Sequence, residues 1–371
     1  MAGFLQVRLA ALREAGTYRS LPGRREGIDF WSNDYLGFAR IPTDTGPYPS
    51  IASGSRLISG DSEQVHGLEA RIAAFHGYPT ALLFGSGYTA NVGLLSCLAR
   101  RTDTIVYDAL IHASLRDGIR LSHGRGRRWE HNSPEGAAAA IRDARSDGEV
   151  FVVTESRFSM DGDTAPLKAL AEVCQELGAH LIVDEAHSIG IDGPYGAGLV
   201  AALGLQEQVF ATVVTYGKAP GRSGAAVLGS PQLRDYLINT SRPFVFTTGP
   251  RPEQLAGIHS AYDLLQQQQE VVRQQLAAVT QHFSTSAFYT RIQGPGERCA
   301  GPIQIVYPRG KAAVMELEEA VREDGYLIKA IRSPTVASGE ERLRICLHAF
   351  NTLEEVDGLV GSLRRHLEYQ M

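Results

Sequence analysis

AHLIVDEAHSIG spans residues 179–190. Its reading decides the fold. HLIVD is an apolar run that ends in a carboxylate, Asp184, with Glu185 and His187 just behind it. A run without polar alternation fits a strand buried on both faces, as in parallel sheets. VFATVVTYGK (209–218) repeats the design and ends at Lys218. Upstream, PTALLFGSGYTAN (79–91), DTIVYD (103–108) and GEVFVVTES (148–156) are further apolar runs that end in polar residues or glycine. Helical patterns lie between them, near 89–99, 112–121 and 163–178. In the last of these, DTAPLKALAEVCQELG, Asp163 or Thr164 reads as the N-cap, Pro166 falls in the first turn and Gly178 is the stop. This alternation predicts an α/β fold, a mainly parallel sheet flanked by helices.

Farther out, a helical pattern runs from Glu253 to about Phe283. After it come GPIQIVYP (301–308), a helix over 312–323, YLIKAIR (326–332), RLRICLH (342–348) and a final helix. The expected organisation is an N-terminal helix and arm over 1–45, a large domain over 46–250, and a smaller C-terminal α+β domain over 251–371 that begins with the long linking helix.

Composition narrows the function classes. The 371 residues are 43% hydrophobic and 21% charged with a formal net charge of −5. No basic surface dominates, so nucleic acid is not an expected partner. No apolar run is long enough to span a bilayer, so a membrane is not expected either. MAGFLQVRLAALREAG carries Arg8, Arg13 and Glu14 inside its apolar pattern and reads as an amphipathic helix, not a signal peptide. Cys97, Cys174, Cys299 and Cys346 are scattered and form no C-x-x-C pair. They read as reduced packing residues of a cytoplasmic protein, with neither metal nor disulfide expected.

In open α/β sheets ligands sit outside the carboxyl ends of the strands. Gly85–Gly87, Ser159, Asp184, His187 and Lys218 all fall at or just past such ends. Lys218 is conspicuous because the chain has 36 lysines and arginines and only four are lysine. It stands among Gly217, Ala219, Gly221 and Gly224, which leave room for something bulky. A solvated loop lysine is the plain alternative. A desolvated lysine, however, can lose its proton and form a Schiff base. Asp184 is a cap or a holder of a cation such as a protonated pyridine nitrogen. The glycines of GSGYTAN, between strand and helix, can turn backbone N–H groups toward an anion, and Thr215 offers a hydroxyl. A phosphate cradle, a carboxylate for a ring nitrogen and a lysine together describe pyridoxal phosphate.

Eight motifs extend this reading: SNDYLG (32–37), SGSRLISG (53–60), LFGSGYTAN (83–91), IHAS (111–114), SMDGD (159–163), VDEAHSIG (183–190), TYGK (215–218) and RLRI (342–345). In this order, over nearly the whole chain, the sequence resembles the α-oxoamine synthases, fold-type I pyridoxal phosphate transferases. The resemblance implies that Lys218 carries the cofactor as a Schiff base. Asp184 would pair with the pyridine nitrogen, His112 would stack on the ring, and His187 with Ser159 would reach the ring hydroxyl. The amides of Ser86, Gly87 and Tyr88, with Thr215, would bind the phosphate. Thr247 and Thr248 match a segment that reaches the neighbouring subunit's phosphate in the family, which implies a homodimer with shared active sites. Arg342 and Arg344 alternate on a strand and share one face, opposite Leu343, Ile345 and Leu347. One of them, Arg344 in our assignment, would grip the amino-acid carboxylate, with Asn33 beside it; a turn residue is the other reading of Asn33. Pro220 and Gly249 depart from the family pattern, where leucine and alanine or serine are more usual.

The implied reaction is decarboxylative condensation of L-alanine with pimeloyl-CoA or a pimeloyl carrier protein. Glycine with a short acyl-CoA is the nearest alternative, since one methyl group is worth only about 1–3 kcal/mol of discrimination. A non-catalytic dimer partner and an aminotransferase of the same fold are the more distant ones. Arg19, Arg24 and Arg25 read as a solvated cluster, with a distal carboxylate or phosphate as the alternative ligand.

Overall fold

The computed structural model describes residues 3–21, 23, 25–43, 52–144, 148–286, 288, 301–308 and 311–368. Arg24, Cys299 and the expected boundary near residue 45 lie outside them. The chain packs as two compact units, residues 33–276 and residues 1–32 with 277–371. Each is taken by itself.

In the larger unit, helix α2 (Glu63–His76) leads to strand β2 (Thr80–Phe84) and helix α3 (Gly87–Leu98). Next come β3 (Thr104–Asp108), α4 (Ala113–Leu121), β4 (Arg125–Trp129), α5 (Pro134–Arg142) and β5 (Val150–Glu155). Then follow α6 (Leu167–Leu177), β6 (His180–Asp184), α7 (Leu199–Leu203), β7 (Val209–Thr215) and β8 (Ala225–Gly229). The short helices α8 (Pro231–Thr240) and α9 (Arg242–Val245) precede α10 (Pro252–Thr285), whose residues 252–276 count with this unit.

The seven strands lie in the order β2-β8-β7-β6-β5-β3-β4. All neighbours pair parallel except β8, which runs antiparallel to β2 and to β7. The expected mainly parallel sheet is therefore present. Leu181, Ile182 and Val183 are fully buried, as the apolar run requires. Each such side chain contributes about 1.5–3 kcal/mol of transfer free energy. Leu82, Leu94, Ile105, Leu115, Val153 and Val213 join one core between the sheet and its helices.

Two details differ from the sequence reading. Helix α6 has Pro166 at its N-cap with no side-chain cap, while Gly178 closes it in the left-handed conformation. Asp163 is not the cap because His131 and Asn132 take its carboxylate. The edge strand β4 reads RGRRW and exposes its first four residues, so no apolar pattern announces it. Charged edges of this kind discourage pairing with another chain.

In the smaller unit, α1 (Gly3–Glu14) buries none of its residues. Strand β1 (Ile28–Asp29) pairs parallel with β10 (Tyr326–Leu327). Strands β9 (Ile303–Val306), β11 (Lys329–Ile331) and β12 (Arg342–Cys346) form an antiparallel sheet with β12 in the centre. Helices α11 (Lys311–Glu323) and α12 (Leu353–Glu368) complete it. YLIKAIR thus divides between two sheets. Among the described residues no helix is long and apolar enough to cross a membrane.

Candidate active site

Parallel strands β5 and β6 end level with each other, so Glu155 and Asp184 are register partners. Both are buried. Asp184 Oδ2 accepts from Asn91 Nδ2 at 2.7 Å, and its Oδ1 accepts from the Ala186 amide at 2.9 Å. Glu155 Oε1 accepts from the His112 amide. Burial, and then the charge of Asp184, push the Glu155 carboxyl up to about 8, against the pull of Lys218. Two buried carboxyls side by side do not both ionise readily. Among the described residues the Asp184 carboxylate has two donors and the Glu155 carboxyl one. Glu155 was missed by the sequence reading, although it holds the same strand-end place in GEVFVVTE that Asp184 holds in HLIVD.

Lys218 follows β7, the next strand over, and is half-buried. Its loop is closed by backbone bonds: Tyr216 N to Gly224 O, Arg222 N to Tyr216 O and Gly221 N to Lys218 O. Gly221 has φ 66°, and a Cβ there would run into the Phe38–Ala39 backbone. The Arg222 guanidinium donates to Phe38 O at 2.7 Å and Ile41 O at 3.1 Å, which ties the loop down again. The positive charge of Lys218 opposes protonation of His112.

His112 caps the N-terminus of α4, its Nδ1 accepting from the Ser114 amide. One edge of the ring rests on Ser114 and the residue is exposed on the other side. Burial of that inner edge, opposed by Asp184, lowers its pKa. His187 is buried, and its Nδ1 lies 2.8 Å from the Tyr35 hydroxyl. That hydroxyl donates to Asn33 Oδ1 at 3.2 Å. His187 Nδ1–H is then the donor to Tyr35, because one hydroxyl has one proton. Asn33 thus supports His187 through Tyr35.

Ser159 sits on the 156–165 loop, half-buried. This loop is braced from the sheet edge. His131 bonds Asp108 Oδ1 through Nδ1 and Asp163 Oδ2 through Nε2, both at 2.8 Å. Asn132 spans the same two carboxylates, through its amide to Asp108 and its Nδ2 to Asp163. Asp108 also accepts from the Leu110 amide, in the turn that leads to His112. One cluster therefore ties the His112 turn to the Ser159 loop. The two carboxylates, outweighing burial, raise the His131 pKa to about 10.

The glycine turn GSG opens α3. Ser86 is its N-cap, and a capping box joins Ser86 and Thr89. The Ser86 amide donates to Thr89 Oγ1 at 3.1 Å, so it is not one of the anion-binding amides expected from the sequence. Gly87 and Tyr88 occupy the first helical positions, whose amides have no acceptor within a helix. A Cβ on Gly87 would stand 3.2 Å from Thr215 Oγ1. The bare glycine keeps that space open between the amides and the hydroxyl. This cradle, the buried Asp184 carboxylate and the nearby Lys218 fit pyridoxal phosphate. Thr247 and Thr248 are exposed and line a cavity of about 370 Å³ with Gly85, Arg56 and Phe244.

Arg342 and Arg344 belong to the smaller unit, where both are buried rather than solvated. Arg342 donates through Nε to Glu340 O, and its guanidinium lies 5.0 Å from the Tyr307 ring centroid. Arg344 pairs in register with Lys329 and Ile305.

Comparison with known proteins sets this geometry in context. The profile of aminotransferase class I and II matches residues 25–363. An 8-amino-7-oxononanoate synthase of Emericella nidulans is 37% identical over 92% of this chain and 89% of its own length. One from Anaeromyxobacter dehalogenans is 40% identical over 92% and 86%. Among solved structures, a serine palmitoyltransferase of S. paucimobilis with bound PLP superposes with TM-score 0.89 at 25% identity, over 99% of this chain and 98% of that one. An 8-amino-7-oxononanoate synthase of Francisella tularensis gives 0.78 at 26% identity, over 93% and 98%.

Proposed function

The chain belongs to the aminotransferase class I and II family, and from that premise we propose that it is an acyltransferase of the 8-amino-7-oxononanoate synthase type. It condenses L-alanine with a pimeloyl thioester and releases carbon dioxide and the thiol, a step of biotin biosynthesis. Pyridoxal phosphate is its cofactor. The observation that carries this reading is that relatives named for this reaction match 92% of the chain at 37–40% identity.

In this proposal Lys218 holds the cofactor covalently and Asp184 faces its ring nitrogen. His112 covers one ring face, while His187 and Ser159 serve the ring hydroxyl. The amides of Gly87 and Tyr88 and the Thr215 hydroxyl take the phosphate. When bound, the cofactor supplies an electron sink for the charge left on the α-carbon by loss of a proton or of carbon dioxide. Asp184, its carboxylate oriented by two donors, would hold the ring-nitrogen proton in place. The Lys218 amine, set free when the amino group of L-alanine takes its place on the cofactor, would take the α-proton and later return one to the product carbon. Arg344 binds the amino-acid carboxylate through its guanidinium fork.

The enzyme acts as a cytoplasmic homodimer. Leu57, Ile58 and Phe246 are 53%, 84% and 70% exposed in the single chain. They flank Thr247 and Thr248 on two loops joined by the Ser55–Thr248 bridge and the Gly249 N to Gly54 O bond. Apolar side chains grouped in this way mark an interface, which brings Thr247 and Thr248 to the second copy's site.

A second reading has one observation in its favour: the superposition is better on serine palmitoyltransferase, 0.89 against 0.78. It keeps the chemistry and changes the amino acid and acyl chain. The test is product analysis by mass spectrometry. The loaded protein receives L-alanine, glycine or L-serine, each with pimeloyl-CoA, acetyl-CoA or palmitoyl-CoA. 8-Amino-7-oxononanoate from L-alanine and pimeloyl-CoA is expected. Product from another pair alone, or a keto acid formed without any thioester, overturns the assignment.

A further inference from the structure

His112 is linked to Asp184 by hydrogen bonds that run in one direction. Asn91 Nδ2 donates to Asp184 Oδ2 at 2.7 Å and to Ser114 Oγ at 3.0 Å. An amide nitrogen only donates. Turning the Asn91 side chain over would set its oxygen against the Asp184 carboxylate, so the local charge fixes the orientation. Ser114 Oγ therefore accepts from Asn91, and its own proton is available to His112 Nδ1, 2.8 Å away. The Ser114 amide donates to the same nitrogen at 3.2 Å. A ring nitrogen that accepts from two donors carries no proton.

We propose that Asn91 and Ser114 are positioning residues that hold His112 as a neutral imidazole with its proton on Nε2. The ring then presents an N–H donor on the side away from the relay. Protonating Nδ1 would turn the Ser114 proton away toward Asn91, which has only N–H to offer there. Asp184 and Asp117 favour a charged ring, while Lys218 and burial oppose it, and Glu155 accepts only from the His112 main chain. The relay decides among these by occupying the nitrogen itself.

A second observation supports the role. Asn91 is 2% exposed, and its Oδ1 is buried with no hydrogen-bond partner among the described residues. An unpaired buried acceptor is costly, and in native proteins it calls for a reason. The side chain is held in the orientation that points Nδ2 at the Asp184 carboxylate and the Ser114 hydroxyl, at the expense of Oδ1.

The test reads His112 directly and is independent of turnover and of substrate identity. The full-length protein loaded with pyridoxal phosphate is labelled with 15N-histidine, and ring tautomers are read by two-bond 1H–15N correlation. His112→Gln assigns the signals. The wild type is expected to show the Nε2–H tautomer at pH 7. Ser114→Ala removes one oxygen and is expected to give mixed tautomers, with protonation of His112 easier by about tenfold, or one pH unit. The same measurement without cofactor separates the relay from any effect of the bound ring. An Nδ1–H or charged ring in the wild type overturns the proposal. So does a Ser114→Ala variant whose tautomer and midpoint are unchanged.

Discussion

His112 and His131 both lie close to buried carboxylates, yet their pKa values move in opposite directions. His131 touches two carboxylates directly, Asp108 and Asp163, and its pKa rises to about 10. His112 is linked to Asp184 through Asn91 and Ser114, and burial lowers its pKa against the pull of Asp184. A carboxylate in contact makes an imidazolium; a carboxylate behind a donor-only amide leaves an imidazole neutral. The charged histidine stands at the sheet edge and locks two segments together. The neutral one stands where the proposed chemistry needs an uncharged ring face. Chemistry should therefore follow the His112 side of the molecule, and stability the His131 side.

Variants can break that division. Lys218→Ala should lower kcat by at least about 10³-fold, combining loss of the covalent anchor with loss of the base. Its urea midpoint should stay near the wild-type value, and normal turnover would end the assignment. Arg344→Ala should raise the KM for L-alanine by roughly 10–100-fold, the value of a charge-assisted carboxylate contact. Arg342→Ala should raise it little. Steady-state kinetics of the two variants would reverse the roles if only Arg342→Ala had the effect.

His131→Gln should lose about 1–3 kcal/mol of stability by urea unfolding, because it removes hydrogen bonds to charged groups. The pH dependence sharpens the point. The folded pKa of His131 lies above its ordinary value of 6.5, so its contribution is complete below about 6.5. It declines as pH rises and is lost through about 10. Melting of the wild type between pH 6 and 10 should fall more steeply than that of His131→Gln. Parallel curves would show that His131 is not the charged brace described.

The parts of the site that were legible in the sequence share a physical reason. Strands β5, β6 and β7 are buried on both faces, so their apolar runs are plain and a charge at the end of one stands out. Asp184 and Lys218 were visible in this way. Asn91, Ser114 and His131 were not, because their roles depend on partners brought together by folding, such as Asn91 and Asp184. An asparagine in a helical pattern gives no sign of which carboxylate it will meet. The Ser86 amide was misread for a related reason: GSGYT contains both an anion cradle and a capping box, and the box takes that amide. Strand β4 was illegible because RGRRW has no buried face to pattern until Trp129. Arg342 and Arg344 alternate on one face of a strand, and only the packing shows that both are buried.

The central claim is that the cofactor is joined to Lys218, and peptide mapping tests it most directly. The protein is loaded with pyridoxal phosphate, reduced with borohydride, digested and analysed by mass spectrometry. The account predicts one added phosphopyridoxyl group, on the peptide that contains Lys218. The same mass on Lys168, Lys311 or Lys329 instead, or no added mass, would contradict it.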